Sequence, residues 1–132
     1  MGMVPPRVFA VTGTPGSGKT TLCGHLGEQG HAVESVIDLA KRFDCLGVED
    51  ASDGAAPVDV HKLAEEWIDE SESTVFVDGH LSHLLEIDAI ILIRCHPDVL
   101  KQRLEDRGYN EAKVRANVEW EMIAGTWSEI LE

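Results

Sequence analysis

The sequence has few basic residues compared with its acidic ones. It contains 11 Lys and Arg residues against 24 Asp and Glu residues, which gives a formal net charge of −13 in 132 residues. A surface with so many carboxylates repels the phosphates of free nucleic acid, so we do not expect direct nucleic-acid binding. The same surface is compatible with a basic protein partner or with solubility at high salt.

Cysteines and long apolar stretches are also scarce. The three cysteines, Cys23, Cys45 and Cys95, are far apart and form no CxxC pair, which argues against a disulfide framework and favours reduced thiols. No stretch reaches the ~20 apolar residues that a membrane-spanning helix requires. The first residues lack the apolar core of a signal peptide. We therefore expect a cytoplasmic protein with no membrane partner.

Short apolar stretches alternate with segments of helical periodicity along the whole chain. The predicted strands are residues 8–11, 32–36, 73–78 and 88–94. The predicted helices are residues 19–29, 37–43, 59–70, 97–107 and 111–131. Apolar strands that alternate with helices predict an α/β fold with a parallel sheet covered on both faces. The length and the 43% apolar content fit a single domain over residues 1–132.

Three further expectations concern particular segments. Residues 44–57 are polar and aperiodic, which predicts a mobile surface loop. The apolar stripe of helix 59–70 is Val60, Leu63, Ala64, Trp67 and Ile68. The apolar face of helix 111–131 is Val114, Val118, Met122 and Ile123. Trp120 lies off that face, so we expect it to be exposed, and Trp67 and Trp127 fit core or partner-surface positions.

The strongest motif lies between the first predicted strand and the first predicted helix. It reads Gly13-Thr14-Pro15-Gly16-Ser17-Gly18-Lys19-Thr20 and matches G-x-x-x-x-G-K-[ST]. The glycines allow the backbone N–H groups to point inward as an anion nest, next to the positive end of the helix. Lys19 would contact the β- and γ-phosphates, Thr20 would bind Mg²⁺, and Thr21 would contact the α-phosphate. The motif predicts a P-loop that binds ATP with Mg²⁺.

Asp78 and His80 follow the third predicted strand. P-loop enzymes need a carboxylate at the end of a neighbouring strand to hold the Mg²⁺ shell, and Asp78 has that position. The alternative is a turn-capping Asp before Gly79. His80 would orient a water or a phosphate oxygen, or else is a loop or core histidine. A metal pair of His80 and His83, helped by Cys95 and His96, has no recognised ligand spacing.

Some basic residues are candidates for contacting phosphates. Arg107 precedes a glycine between two predicted helices, so it would approach the transferring phosphoryl group as the site closes. A surface arginine at a helix C-terminus is an equally good interpretation. Lys41 and Arg42 would hold an acceptor phosphate, although an exposed cationic end of a short helix explains them better from the sequence alone.

Several of these segments together resemble the adenylate kinase isoenzyme six family of small nucleoside monophosphate kinases from archaea and eukaryotes. The matching segments are Val11–Thr21, Asp38-Leu39-Ala40-Lys41, Val77-Asp78-Gly79-His80, Leu92–Pro97 and Leu104–Tyr109. The resemblance extends from Arg7 to about Glu121. It implies the three-layer α/β/α sandwich of the P-loop NTPases, and a fifth strand that would follow the four predicted here.

The resemblance also implies an activity and assigns residues to it. The activity is transfer of the ATP γ-phosphoryl group to AMP, with ATP hydrolysis and a role in maturing the small ribosomal subunit through a ribosomal protein partner. The residues implied for ATP are Gly16, Gly18, Lys19, Thr20, Thr21 and Arg107. Asp78 and His80 form the Walker B-like segment. The resemblance assigns monophosphate binding to about residues 36–59, including Asp38, Lys41 and Arg42. It also implies a short lid at about residues 106–116.

Two departures from the family and two competing functions follow. Lys41 stands where the family usually has an arginine, and members continue past the position of Glu132 with another strand and a helix.

The leading hypothesis is a nucleoside monophosphate kinase. The alternative is an ATPase switch or assembly factor that docks a basic ribosomal protein, with His80 positioning the attacking water. A GTPase is disfavoured because no Asn-Lys-x-Asp guanine motif is present.

Overall fold

The predicted parallel sheet is confirmed by the computed structural model, which describes residues 5–48 and 56–132. The described residues form four parallel strands. They are β1 (Val8–Thr12), β2 (Ala32–Ser35), β3 (Val75–Asp78) and β4 (Ala89–Leu92). Their order across the sheet is β2-β3-β1-β4. β1 pairs with a strand on each side, which explains why its residues are nearly all apolar and buried.

Helices connect the strands, so the α/β fold class is confirmed. The helices of the described residues are α1 (Lys19–Glu28), α2 (Val36–Arg42), α3 (Val60–Glu66), α4 (Pro97–Asp106), α5 (Glu111–Met122) and α6 (Gly125–Ile130), with a 3₁₀ helix at Ser82–Leu84. Several begin at side-chain caps of the expected types. Ser35, Asp59 and Asn110 each accept a hydrogen bond from the backbone N–H three residues later.

The register of the strands brings three chain segments to one edge of the sheet. Asp78 at the end of β3 is paired with Val11 of β1 on one side and with Ser35 of β2 on the other. The P-loop leaves β1 at this same edge. The carboxyl ends of parallel strands are where α/β proteins bind ligands, and the candidate site lies there.

The apolar core lies mainly between the sheet and the helices α2 and α3. Its buried members are Val8, Val36, Leu39, Ala40, Cys45, Leu63, Trp67, Val75, Val77 and Leu85. A second, smaller cluster joins α4 to α5 through Leu100, Leu104 and Val114. This second cluster holds the two helices on either side of Gly108 together as one unit beside the P-loop.

Helix 59–70 is shorter than predicted, and Ile68 does not belong to its buried stripe. α3 ends at Glu66, Trp67 is extended, and Ile68 is 62% exposed. The guanidinium of Arg7 explains the early end, because it hydrogen-bonds to both the carboxylate and the backbone carbonyl of Asp69 and to the carbonyl of Ser73. These contacts hold the following segment in a non-helical conformation.

The single final helix predicted over residues 111–131 is wrong, and so is part of its apolar face. The helix breaks at Ala124, which has φ of 54°, and α6 begins after it. Val114 is buried as expected, but Met122 and Ile123 are 65% and 69% exposed. Glu121 is buried instead, because its carboxylate contacts the P-loop. Trp120 lies against Gly125 and is 36% exposed.

The segment 44–57 is only partly described. Within the described part, Leu46 forms an isolated antiparallel bridge with Val58, and Cys45 is buried in the core. This part of the segment therefore packs into the domain and is not simply a surface loop. Residues 49–55 of the expected loop, and of the expected monophosphate-binding region, lie outside the described residues. No helix in residues 5–48 and 56–132 is long and apolar enough to span a membrane.

Candidate nucleotide-binding site

The backbone between β1 and α1 forms the concave turn that the P-loop motif predicts. Gly13 has φ of 148°, and a Cβ there would lie 2.5 Å from the carbonyl oxygen of Ile93, the residue after β4. Gly18, with φ of 119°, precedes the first turn of α1. Both positions favour glycine because a side chain is strained or sterically excluded there. The glycines thus let the loop pass close to β4 and turn directly into α1.

Lys19 is folded back onto the loop. Its Nζ donates hydrogen bonds to the carbonyl oxygens of Gly13 at 3.1 Å and Thr14 at 2.9 Å, and the residue is only 8% exposed. Burial lowers its pKa to about 8; the nearby Asp78 carboxylate opposes this shift, and Arg107 adds to it. A desolvated ammonium held by two neutral carbonyls gains strongly from an anionic ligand, which fits it to phosphate.

Thr20 and Asp78 form an oxygen pair at the start of α1 and the end of β3. The Thr20 hydroxyl donates to Asp78 Oδ2 at 3.1 Å. A hydroxyl and a carboxylate oxygen side by side are suitable donors for Mg²⁺, which takes few protein ligands and completes its shell with phosphates and water. No group of three or more His, Cys, Asp or Glu side chains suited to a metal occurs among the described residues, and a P-loop Mg²⁺ site does not require one.

A cleft of about 500 Å³ opens between the P-loop, the end of β3 and α4. Most of the residues that the sequence predicts for ATP binding and catalysis line it together. They are Gly16, Gly18, Lys19, Thr20, Thr21, Asp78, His80 and Arg107. Although His80 keeps an exposed edge, surrounding protein atoms desolvate its ring and lower its pKa to about 4, and the charge of Lys19 adds to this effect. The imidazole is neutral near pH 7.

Two arginines reach the cleft from α4. Arg107 caps the C-terminus of α4, is exposed, and is close enough to depress the pKa of Lys19. Arg103, one turn earlier on the same helix, donates from Nη1 to the Gly16 carbonyl oxygen at 3.1 Å. Sequence reasoning selected Arg107 and passed over Arg103. The available signal was their four-residue spacing, which places both side chains on one helix face.

The predicted acceptor-side residues lie on α2, outside the lining of this cleft. Asp38, Lys41 and Arg42 are all exposed. Arg42 forms an ion pair with Glu34 at 3.3 Å and lies over the ring of Phe43. From this segment the cleft is lined by Ser35 and Ile37. A role for Asp38, Lys41 and Arg42 in binding an acceptor stays a prediction.

Two buried polar residues next to the site were missed by sequence reasoning. Glu121 of α5 accepts a hydrogen bond from Thr14 Oγ1 at 2.7 Å. His83, which the sequence suggested only as a metal ligand, has its Nδ1 2.7 Å from Thr12 Oγ1 and its Nε2 3.1 Å from Glu129. Both nitrogens of His83 therefore face protein groups. No local sequence signal marks Glu121, because helical periodicity favours Met122 for burial.

Comparisons with known proteins agree with this geometry. The AAA domain family matches residues 10–124. A protein of Archaeoglobus fulgidus described as a "putative adenylate kinase" is 41% identical over 125 residues, covering 95% of this chain and 67% of the relative. Proteins with the same description from Methanocaldococcus jannaschii and Pyrococcus abyssi are 39% and 37% identical, over 87% and 95% of this chain and 67% and 69% of their own lengths.

The chain spans about two thirds of the length of these relatives. The match includes the P-loop, the strand that carries Asp78 and the helices α4 and α5, because it extends to residue 124. The chain therefore belongs to the AAA domain family, in the group of P-loop kinases that includes these archaeal proteins.

Proposed function

We propose that the protein is a nucleoside monophosphate kinase that transfers the γ-phosphoryl group of ATP to AMP. The observation that carries this proposal is the convergence of Lys19, the Thr20–Asp78 oxygen pair and two arginines on one cleft. A simple nucleotide-binding loop requires only the first two features. Arginines on the far wall are what phosphoryl transfer needs in addition, because charge on the transferring group must be neutralised. The archaeal relatives named adenylate kinases support the same reading.

Each side chain has a role in this scheme that follows from its position. The P-loop amides and Lys19 would hold the triphosphate, with Nζ exchanging its two carbonyl partners for phosphate oxygens. Thr20 and Asp78 would hold Mg²⁺, which would neutralise charge on the β- and γ-phosphates when bound. Arg103 would contact the equatorial oxygens from α4, and Arg107 would contact them as the proposed lid at about residues 106–116 closes. Closure would also exclude water, so that the acceptor phosphate is the nucleophile.

The acceptor would lie at the opposite end of the cleft, near Ser35, Ile37 and His80. All three residues line the cleft, and β2, which ends at Ser35, lies at the opposite side of the sheet from β4. Asp38, Lys41 and Arg42 are one or two turns further along α2, where they would contact the acceptor once it is bound. This proposal also includes a single domain, a monophosphate-binding region at about residues 36–59 and a lid at about residues 106–116.

The deciding experiment follows the products of Mg·ATP with and without AMP. We expect two ADP per ATP consumed when AMP is present, and little inorganic phosphate under either condition. Arg107→Gln should lower kcat by about 100-fold, the scale of losing one preorganised transition-state contact. Lys101→Gln is the control, because Lys101 is an exposed cation of α4 that lies outside the lining of the cleft and outside the proposed lid. ADP production that does not respond to AMP would refute the kinase proposal.

An ATPase switch is the second candidate, and two observations favour it. The net charge of −13 suits a basic partner, and the neutral imidazole of His80 at the cleft is suited to orienting a water. The family resemblance to adenylate kinase isoenzyme six would make that partner a small-subunit ribosomal protein in the cytoplasm. Phosphate release that is independent of AMP and increases with a basic ribosomal protein would support this candidate instead.

A further inference from the structure

A buried carboxylate connects α5 to the P-loop. Glu121 is 3% exposed, and its two carboxylate oxygens accept three hydrogen bonds. Thr14 Oγ1 donates at 2.7 Å, Arg94 Nε at 2.8 Å and the Cys95 backbone N–H at 2.9 Å. The donors come from the P-loop and from the segment after β4, so one side chain joins three parts of the structure.

The Glu121 carboxylate is buried and ionised, which distinguishes it from an ion pair on the protein surface. Burying a charge is costly unless it is fully hydrogen-bonded. Burial alone would raise the pKa of Glu121, but the hydrogen bonds from Arg94, Cys95 and Thr14 outweigh that effect and hold the pKa below its usual range. Glu121 is therefore ionised at neutral pH. Burial of this residue also leaves Met122 and Ile123 in solvent, so the contact is made at the expense of apolar burial.

Thr14 connects the Glu121 contact to Lys19 of the P-loop. The Thr14 carbonyl oxygen accepts from Lys19 Nζ at 2.9 Å and from the Ser17 N–H at 3.0 Å. The residue is thus fixed through its carbonyl by the P-loop itself and through its hydroxyl by Glu121. The hydroxyl contact is therefore a second restraint on the backbone at the start of the P-loop.

We propose that Glu121 is a positioning residue that holds the P-loop in its phosphate-binding conformation through the Thr14 hydroxyl. The proposal rests on the proposed function only in that the site binds the phosphates of ATP. Glu121 does not touch the nucleotide. It fixes the orientation of the loop before binding, so that less conformational entropy is lost when the phosphates bind.

The test measures binding, not turnover. Titration calorimetry of the whole chain would use two probes, Mg·ATP and Mg·tripolyphosphate, the second of which has no base or sugar. We expect Glu121→Leu, which removes both acceptor oxygens at similar size, to weaken both probes by about tenfold, the scale of one hydrogen bond to a charged group. Glu121→Gln keeps one acceptor oxygen for Arg94 and the Cys95 N–H, and its NH2 group can donate a hydrogen bond to the Thr14 hydroxyl oxygen. This variant should therefore recover most of the affinity.

Two further variants separate positioning from general effects. Thr14→Val removes the hydroxyl and should reproduce the loss. Thr14→Val added to Glu121→Leu should cause little additional loss of affinity, because each change alone already removes the hydrogen bond between Thr14 and Glu121. Thr14→Val also leaves the pairing of Glu121 with Arg94 intact, so it remains informative if Glu121→Leu fails to fold. Glu119→Leu is the control, since Glu119 is an exposed carboxylate on the same helix, and it should leave both affinities within twofold.

Three results would overturn the proposal. A variant that melts at lower temperature but binds both probes normally while folded would give Glu121 a purely structural role. A weakening of Mg·ATP alone would place the effect at the base or sugar. Additive losses in the double variant would show that Glu121 does not act through Thr14. None of these depends on AMP, so a protein that fails to phosphorylate AMP still tests the proposal.

Discussion

Two segments beside the cleft owe their conformations to different causes. The P-loop, residues 13–20, turns as its own residue types require, with positive φ at Gly13, Gly16 and Gly18. Residues 111–131 have a helical pattern throughout, yet the helix breaks at Ala124, a residue with a side chain at φ of 54°. Such a conformation is strained for alanine. Local chemistry explains the first segment, and only tertiary contacts explain the second.

The contacts that break the second segment are specific. Glu121 reaches the P-loop, and the Trp120 ring covers Gly125 while its Nε1 donates to Thr126 Oγ1 at 3.0 Å. Leaving Met122 and Ile123 in solvent forgoes roughly 1.5–3 kcal/mol of burial for each side chain. The contacts of Glu121 and Trp120 must offset that loss together with the strain at Ala124. The comparison can be tested by changing residues on either side.

The largest effect is expected at Lys19. Lys19→Met should reduce Mg·ATP affinity and phosphoryl transfer by about 100-fold or more, because it removes the charge that we propose to contact the phosphates. The same change should raise the free energy of unfolding of the ligand-free protein by about 1–2 kcal/mol. Its reason is that the folded-state pKa of about 8 lies below the unfolded value, so burial of the charged form costs stability at pH 7.

Calorimetric titration and urea denaturation measure the two effects separately. Lys101→Met, at an exposed lysine of α4, is the control and should change neither by much. A Lys19→Met protein that binds Mg·ATP with nearly unchanged affinity would contradict the assignment of the P-loop.

The next largest effect is expected at the corner between α5 and α6. A Cβ at Gly125 would lie 2.2 Å from Trp120 Cδ2, so Gly125→Ala must displace the indole or the helix. We expect it to lower the free energy of unfolding by about 1–3 kcal/mol and to shift the tryptophan fluorescence.

Gly24→Ala is the matched control for this corner. Gly24 lies inside α1, and apart from its chain neighbours and the backbone of its own helix, a Cβ there meets no heavy atom of the described residues within 4 Å. That change should stabilise the protein by about 0.4–1 kcal/mol. If both alanines have the same effect, the packing of Trp120 does not determine the corner.

The comparison also explains what could be predicted from sequence. The order of the strands, the order of the helices as far as α4, the P-loop and the position of Asp78 at a strand end follow from short-range patterns, and the structure agrees with them. The early end of α3 depends on Arg7, which is 62 residues from Asp69 in the chain. The buried position of Glu121 depends on Thr14, 107 residues away. Such contacts leave no periodic signal, so Ile68, Met122 and Ile123 were expected in the core.

A pH dependence is expected on the P-loop side. Lys19 has a pKa of about 8 in the free protein, and bound phosphates would raise that pKa. Binding therefore requires the protonated form, and raising the pH above 8 should weaken Mg·ATP by about tenfold per pH unit. Between pH 6 and pH 7 this group should contribute no change. Calorimetry from pH 6 to pH 9.5 measures the profile, and constant affinity up to pH 9.5 would contradict the burial of a titrating ammonium.

The smallest effect is expected on the helix face that the sequence pattern marked as buried. Met122→Gln and Ile123→Gln should each change the free energy of unfolding by less than about 0.5 kcal/mol, because both side chains are already in solvent. Val114→Ala, at the 5% exposed position of the same predicted face, should cost about 1–2 kcal/mol. Urea denaturation of the three variants compares them directly. Equal losses of unfolding free energy for the Val114 and Met122 variants would mean that both side chains are buried on one continuous apolar face. In that case our explanation of the helix break at Ala124 would be wrong.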